Sequence, residues 1–247
     1  MRAKAGNDLV RIDESNGAFT DTIPTTIDGG SGDDTIAGGK GVETLLGGQG
    51  NDSIDGNGGN DRALLGPGND TFVWDPGDGS DTVEGQAGND TMLFNGANVA
   101  EQVNLSANGN RLKFFRTQAN ITMDTAGVER VIFNALGGAD TVTVNDLTGT
   151  DVNRVDVDLA STIGGVAGDG QADRVIVNAT NGNDAIDVSG DAQAVKVSGL
   201  AATTEILHSE IANDRLDVNT LAGTDSVRSA GLGAGAIQLF LDGIRAL

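Results

Sequence analysis

The chain has 247 residues and a formal net charge of −21, which argues against nucleic acid as a partner. It contains no cysteine and a single histidine, His208, so zinc sites of the Cys or His type and most histidine-dependent catalytic triads are excluded. Aromatic residues make up only 3% of the chain, which predicts a thin core, and 38 glycines against three prolines indicate many tight turns.

The first region, residues 1–27, contains two short apolar stretches that each follow an aspartate. They are AGNDLVRI from Ala5 to Ile12 and TDTIPTTI from Thr20 to Ile27. We expect an irregular coil of the same kind as the region that follows, so that the chain begins inside a repeat. The start, MRAKAGNDLVRIDE, lacks the apolar core of a cleavable signal peptide, and no run of about 18 apolar residues is present to span a membrane.

The second region, residues 28–94, repeats a phrase of nine residues. Its copies are GGSGDDTIA, GGKGVETLL, GGQGNDSID, GNGGNDRAL, LGPGNDTFV, an eleven-residue WDPGDGSDTVE and GQAGNDTML. The acidic position of the phrase falls at Asp34, Glu43, Asp52, Asp61, Asp70, Asp81 and Asp90. Glycine and a carboxylate at fixed phase predict a stacked coil whose turns hold metal ions, since calcium prefers carboxylate and carbonyl oxygens.

The charge of residues 28–95 supports the same prediction. This stretch carries thirteen acidic side chains against two basic ones, Lys40 and Arg62. Such a segment should repel itself open in water unless cations neutralise it. The apolar eighth position of the phrase then begins a short strand that points into the core, at Ile36, Leu45, Ile54, Phe72, Val83 and Met92.

The third region, residues 95–247, continues with longer and less regular repeats. Three sixteen-residue lines align without gaps: ERVIFNALGGADTVTV from Glu129, DRVIVNATNGNDAIDV from Asp173 and DRLDVNTLAGTDSVRS from Asp214. Each has Asn at its sixth position and alternates apolar with polar residues, as half-buried strands do. The spacing of the lines predicts two coils of about 20 residues between successive starts. Residues 202–212 form the one candidate short helix.

Residues 107–125 interrupt this rhythm with the densest basic and aromatic cluster of the chain. Arg111, Lys113 and Arg116 surround Phe114 and Phe115. A ligand-binding surface is one interpretation. The one we favour is a strand pair whose aromatic side chains cover the junction between the two kinds of coil.

The nonapeptide block resembles the calcium-binding repeats of the RTX, or hemolysin-type, family. The resemblance implies an all-β chain folded as a right-handed parallel β-roll or β-helix solenoid, with two nonapeptides per coil and several Ca²⁺ ions between turns two repeats apart. It places Asp34, Asp52 and Asp70 in one column and Glu43, Asp61 and Asp81 in the other, with Asp90 joining whichever column the longer sixth repeat leaves in register. It assigns the ligating turn carbonyls to Gly30, Gly32, Gly48, Gly50, Gly66 and Gly68.

Departures from the phrase limit this assignment. Glu43 replaces the usual aspartate, Ala63 is a small core residue, and the sixth repeat has two extra residues, so we expect a partial set of occupied sites. The turns that end at Asp140, Asp184 and Asp225 lack the full phrase. We interpret their aspartates as turn caps or lattice residues rather than metal ligands.

The hypothesis favoured by the sequence is a non-enzymatic calcium-binding module that folds on meeting extracellular calcium. The family resemblance implies a secreted or cell-surface bacterial protein exported by type I secretion machinery. Two alternatives stay open: a parallel β-helix enzyme acting on extracellular polysaccharide, with Arg111, Lys113 and Arg116 as substrate contacts, and a structural or adhesive segment of a larger surface protein. No catalytic residue is assigned.

Overall fold

The computed structural model describes residues 1–246, and Leu247, the last residue of the third region, lies outside the described residues. Nearly all regular structure is β-strand. The strands of the first 100 residues are β1 (Leu9–Arg11), β2 (Thr25–Ser31), β3 (Thr35–Ala37), β4 (Glu43–Gln49), β5 (Ser53–Asp55), β6 (Arg62–Gly68), β7 (Thr71–Trp74), β8 (Thr82–Gly88) and β9 (Thr91–Asn95).

The rest of the chain contributes fourteen further strands and one turn of 3₁₀ helix, Gln118–Asn120. The strands are β10 (Gln102–Asn108), β11 (Arg111–Arg116), β12 (Ile121–Ala126), β13 (Arg130–Asn134), β14 (Thr141–Val144), β15 (Arg154–Asp158), β16 (Arg174–Asn178), β17 (Ala185–Gly190), β18 (Ala194–Ser198), β19 (Thr203–Leu207), β20 (Arg215–Asn219), β21 (Ser226–Leu232), β22 (Gln238–Leu241) and β23 (Ile244–Arg245). None of the helical structure within residues 1–246 is long and apolar enough to cross a membrane.

The strands form two sheets that face each other across one core. Sheet one has the order β1-β3-β5-β7-β9-β13-β15-β19-β18-β17-β21, and sheet two has the order β2-β4-β6-β8-β12-β11-β10-β14-β16-β20-β22-β23. In the nonapeptide block successive strands alternate between the sheets, and every neighbouring pair within a sheet is parallel. The chain is therefore a parallel β-roll, as the sequence predicts.

The alternation of the strands follows from the apolar eighth position of the phrase. Ile36, Ile54, Phe72 and Met92 pair in register along sheet one, while Leu45, Ala63 and Val83 pair along sheet two. All seven side chains are buried. Each short strand places one apolar residue inward between two neighbours that point outward, which is the two-residue period of a half-buried strand.

The first twelve residues form a further coil on top of this stack. The amide of Ala3 donates to the carbonyl of Asp28, the amide of Gly6 donates to that of Ser31, and β1 pairs with β3 in parallel. The assignment of residues 1–27 as one irregular coil stays a prediction.

Two antiparallel meanders interrupt the regular coils. In sheet two, β10, β11 and β12 pair antiparallel, with β12 beside β8 and β10 beside β14. The favoured interpretation of residues 107–125 is thereby confirmed: Phe114 is fully buried and lies 4.4 Å from Phe94, which stacks on Trp74 at 3.9 Å. In sheet one, β17, β18 and β19 form the second meander, between β15 and β21.

Two predictions for this part of the chain are wrong. Residues 202–212 do not form a helix: Thr203–Leu207 is strand β19, because Thr204 and Ile206 alternate inward and β-branched residues favour strands. The three sixteen-residue lines also do not repeat in register. The line from Glu129 opens on sheet one, whereas those from Asp173 and Asp214 open on sheet two, separated by a single coil lengthened by the meander.

The asparagines of these lines form ladders that run from coil to coil. Asn219 donates its side-chain amide to Asn178, Asn178 donates to Asn145, and Asn134 donates to Asn95. The amide oxygens of Asn178, Asn145 and Asn95 each accept from the following coil, so side-chain hydrogen bonds join neighbouring coils at these turns. Asparagine at the sixth position of the lines is explained by these ladders.

Candidate metal centre

The acidic position of the nonapeptide links successive coils. The amide of Asp34 donates to Oδ1 of Asp52 at 2.8 Å, that of Asp52 to Oδ1 of Asp70 at 2.7 Å, and that of Asp70 to Oδ1 of Asp90 at 2.8 Å. The structure therefore places Asp90 in the column of Asp34. It extends that column upward to Asp8, whose amide donates to Oδ1 of Asp34.

The second column has the same construction. The amide of Glu43 donates to Oδ1 of Asp61 at 2.7 Å, and that of Asp61 donates to Oδ1 of Asp81 at 2.8 Å. The two extra residues of the sixth repeat lengthen its coil from 18 to 20 residues without breaking the column. They are accommodated in the turn around Gly77, where a side chain would meet no atom within 4 Å.

The residue just before each acid makes the reciprocal bond. Oδ1 of Asp33 accepts from the amide of Asn51, and Oδ1 of Asn51 accepts from that of Asn69. At this position the side chain accepts a hydrogen bond from an amide of the following coil, whereas the acid accepts one from an amide of the preceding coil. Each turn is thus fastened to both neighbours, and this fixes the acids at one spacing along the stack.

Only one oxygen of each stacked acid is used in these bonds. The second oxygen is buried and has no hydrogen-bond partner in Asp34, Glu43, Asp52, Asp61, Asp70 and Asp90. All six side chains are at most 3% exposed. A buried carboxylate oxygen without a donor is unfavourable by several kcal/mol in ordinary protein interiors, and buried charges are normally paired or bound to metal.

The first glycine of the phrase leaves the space beside this oxygen open. A Cβ at Gly29 would lie 2.5 Å from Oδ2 of Asp34 and 2.6 Å from the carbonyl oxygen of Gly47 in the next coil. At Gly47 a Cβ would lie 2.5 Å from Oδ2 of Asp52 and would also strike the carbonyl oxygen of Leu65. A side chain at either position would fill a small cradle bounded by a carboxylate and a carbonyl oxygen.

These cradles point to carbonyl oxygens that the sequence did not single out. The carbonyls of Gly30, Gly32, Gly48 and Gly50 lie against the equivalent glycine of the next coil, whereas those beside the free carboxylate oxygens belong to the first residue of the phrase, such as Gly47 and Leu65. The glycine that recurs at the first position of the phrase is the feature of the sequence that could have pointed to these carbonyl oxygens. Gly30 and Gly32 adopt the left-handed backbone of the turn, with φ of +109° and +116°, and the ligand role of their carbonyls stays a prediction.

Burial makes ionisation of Asp61, Asp70, Asp81 and Asp90 unfavourable in the absence of a cation. Burial, opposed by the hydrogen bond from the Glu43 amide and aided by the charge of Asp81, raises the pKa of Asp61 to about 8. Burial likewise raises the pKa of Asp81 to about 7 and that of Asp70 and Asp90 to about 6. A positive ion among them would supply the missing counter-charge.

The donor set fits a hard divalent cation. Within residues 1–246 no three acidic or histidine side chains converge on one point, so each carboxylate stands alone in its turn. A cation there must complete its shell with backbone oxygens, and calcium accepts mixtures of carboxylate, carbonyl and water oxygens. The cradles provide both protein oxygen types. Asp34, Glu43, Asp52, Asp61, Asp70 and Asp90 are the side chains that would hold it.

The basic cluster and the histidine take part in other contacts. Arg111 binds Glu84 at 2.9 Å and Asp124 at 2.7 Å, and Arg116 is 6% exposed and paired with Glu101. Two of the three side chains considered as polysaccharide contacts are therefore held by carboxylates of the chain itself. His208 lies 2.7 Å from Asp158, far along the chain from the nonapeptide columns.

Comparison with known families identifies the block. The model of the RTX calcium-binding nonapeptide repeat matches four copies, at residues 26–42, 38–72 and 77–98. Residues 26–98 are therefore an array of RTX calcium-binding repeats, and this part of the chain is a calcium-binding repeat module. A search of curated proteins found no match to this chain.

Proposed function

We propose that this chain is a non-enzymatic module that folds when its nonapeptide turns bind calcium outside the cell, and that it belongs to a secreted bacterial protein. The observation that supports it most directly is the row of buried carboxylate oxygens without partners at six of the stacked acids, five of them beside a glycine cradle. A hydrogen-bonded turn alone needs only one oxygen of each acid, and the second oxygen is explained by a bound cation.

Linkage gives the physical reason for coupling calcium to folding. The two columns bring together carboxylates that lie far apart in the unfolded chain, so the ion binds the folded coil in preference to the unfolded one. At a free calcium concentration of ten times Kd, each independent site stabilises the fold by about 1.4 kcal/mol. Six such sites together would contribute about 8 kcal/mol, which is comparable to the net stability of a small domain.

The calcium concentration outside the cell is high enough to fold a module of this kind. Extracellular calcium modules bind with Kd on the order of 0.1–1 mM, well above the range of cytosolic sensors. A chain with these affinities stays open in the cell and folds after exit. The RTX repeats, which are typical of secreted bacterial proteins, support this location and export by type I secretion machinery.

The test is circular dichroism of the whole chain during a calcium titration that starts from excess EGTA. We expect the strand signal of the nonapeptide block to appear with calcium and to disappear again on chelation. Magnesium at the same concentration is the control, and it should not substitute, since it demands a smaller octahedral shell and keeps its waters. A strand signal that is unchanged by EGTA would contradict calcium-coupled folding.

A further inference from the structure

The ladder of stacked acids does not end with the nonapeptide block. Beyond the meander of sheet two, the amide of Glu101 donates to Oδ1 of Asp140 at 2.7 Å, and that of Asp140 donates to Oδ1 of Asp173 at 2.8 Å. The amide of Asp173 then donates to Oδ1 of Asp214. These acids precede β10, β14, β16 and β20, just as the nonapeptide acids precede their strands. All lie outside the matched residues 26–98.

Asp140 reproduces the state of Asp70, the nonapeptide acid that has Leu65 rather than glycine five residues before it; at Asp140 this position is Ala135. The side chain of Asp140 is 2% exposed, its Oδ1 accepts from the coil above, and its amide donates to the coil below. Its Oδ2 is buried and has no hydrogen-bond partner, as in Asp52 and Asp70. The lattice bond predicted for this aspartate from its sequence is present, but it uses one oxygen only. In Asp214, by contrast, Oδ2 accepts from the amide of Glu210.

The turn before Asp140 has the backbone of a nonapeptide turn without its sequence. In the turn of Asp34, the residues four and two positions before the acid are Gly30 and Gly32, with φ of +109° and +116°. In the turn of Asp140 the same positions are Leu136 and Gly138, with φ of +68° and +118°. Left-handed backbone at a leucine is strained, and strain of this kind is often found at ligand-binding sites.

Further carboxylates surround this turn. Oδ2 of Asp169 accepts from the amide of Gly138 at 2.8 Å, which places a second carboxylate on the turn itself. Burial, opposed by the hydrogen bond from Glu101 and aided by the charges of Asp173, Glu101 and Asp169, raises the pKa of Asp140 to about 8. The partnerless oxygen therefore lies in a region of negative potential, where a cation is favoured.

We infer that the Leu136–Asp140 turn is a binding site for a hard divalent cation of the calcium class, with Oδ2 of Asp140 as its carboxylate ligand. The remaining ligands are backbone oxygens of the turn and water, a mixture that calcium accepts. This site extends cation binding into coils that carry no nonapeptide consensus. It gives Asp140 a second role beside that of the turn cap or lattice residue that its sequence indicates.

The first test counts calcium bound per chain by equilibrium dialysis for the full-length protein and for Asp140→Asn. This variant keeps Oδ1 and the ladder bond but replaces Oδ2 with an NH₂ group, so we expect one ion fewer per chain. Asp225→Asn is the matched control: its turn has left-handed Leu221 and Gly223 and the same ladder bond to Asp184, but Asp225 is only partly buried. The control should bind as many ions as the unmodified chain. An unchanged count in Asp140→Asn would overturn the inference.

The second test needs no variant and decides the matter if Asp140→Asn fails to fold. Crystals of the unmodified chain grown with terbium, which replaces calcium, should show an anomalous peak beside Oδ2 of Asp140. Peaks at the nonapeptide turns with none at Asp140 would overturn this inference and leave the proposed function standing. A peak at Asp140 with none at the nonapeptide turns would support this inference and contradict the proposed function.

Discussion

The backbone amide of Asp52 donates a 2.7 Å hydrogen bond to Oδ1 of Asp70, eighteen residues later, while Oδ2 of Asp70 is buried without a partner. One carboxylate thus has two separate tasks. Its first oxygen holds two coils in register, and its second is left for a cation. Because the two tasks use different atoms, substitution can separate them.

Asp70→Asn should keep the coil register and weaken calcium binding. The amide oxygen still accepts from Asp52, but the charged second oxygen is lost, so we expect the calcium midpoint of folding to rise by about tenfold, equivalent to about 1.4 kcal/mol. The measurement is circular dichroism against free calcium.

Asp33→Asn is the control for this substitution. Oδ1 of Asp33 accepts from Asn51, and other repeats carry asparagine at the same position, so its calcium midpoint should not move. Equal midpoints for Asp70→Asn and the unmodified chain would remove Asp70 from the site.

Gly47→Ala should destabilise the coil. Its Cβ would overlap Oδ2 of Asp52 and the carbonyl oxygen of Leu65. We expect a loss of about 1–3 kcal/mol in the free energy of unfolding at saturating calcium, measured by urea denaturation. Gly58→Ala is the control, since its Cβ would meet only Lys40 Cα at 3.4 Å, an ordinary contact. If both substitutions have the same effect, the cradle has no special role.

Asp217 should make stability depend on pH in the acid range. Burial opposes its ionisation, but hydrogen bonds from Arg215 and Arg174 outweigh burial and lower its pKa. A lowered folded pKa gives stability that is present above the unfolded value of about 3.9 and is lost as pH falls through the folded value. Asp217→Asn should therefore lower the free energy of unfolding by about 1–3 kcal/mol at pH 7. This range allows for solvent screening, because Arg174 is nearly half exposed.

The difference in the free energy of unfolding between Asp217→Asn and the unmodified chain should become smaller below about pH 4, because the carboxylate of the unmodified chain is then also protonated. Urea denaturation of both chains at constant calcium, from pH 7 downward, measures the difference. Asp187→Asn serves as the control, because its pair with Arg228 is exposed and 3.9 Å long, and it should change stability by less than about 0.5 kcal/mol. A difference for Asp217→Asn that persists undiminished at low pH would contradict the role of its charge.

Trp74 should report on calcium through its fluorescence. It is the single tryptophan, 1% exposed, and stacked on Phe94 at 3.9 Å, at the end of a strand that follows Asp70 directly. If calcium holds this coil together, EGTA should shift its emission to longer wavelength as water reaches the indole. Quenching by iodide should increase in parallel. An emission maximum insensitive to EGTA would show that this coil persists without calcium.

The nonapeptide phrase was sufficient to predict the parallel roll, the inward residues from Ile36 to Met92 and the membership of both acid columns. These features are local and repeat at one spacing, so stacking identical turns fixes their neighbours. Which column Asp90 joins was open in the sequence, because two extra residues could shift either strand. The structure resolves it by extending one turn and leaving β8 and β9 in register.

Where the repeat is irregular, only the tertiary structure decided the arrangement. The sixteen-residue lines look equivalent, yet β14 and β15 intervene between the opening strands of the first and second lines and put them on opposite sheets, whereas one coil with a meander keeps the second and third lines on the same sheet. Strand pairing over forty residues is not written in any local pattern. Asp140 shows the same limit: its sequence indicates a turn cap, and only burial within the stacked coils leaves its second oxygen without a partner. The sequence alone determined the calcium-binding repeats, because a carboxylate, a glycine and an apolar residue recur at one phase. The tertiary structure decided which acids outside those repeats are also buried with one carboxylate oxygen that lacks a hydrogen-bond partner.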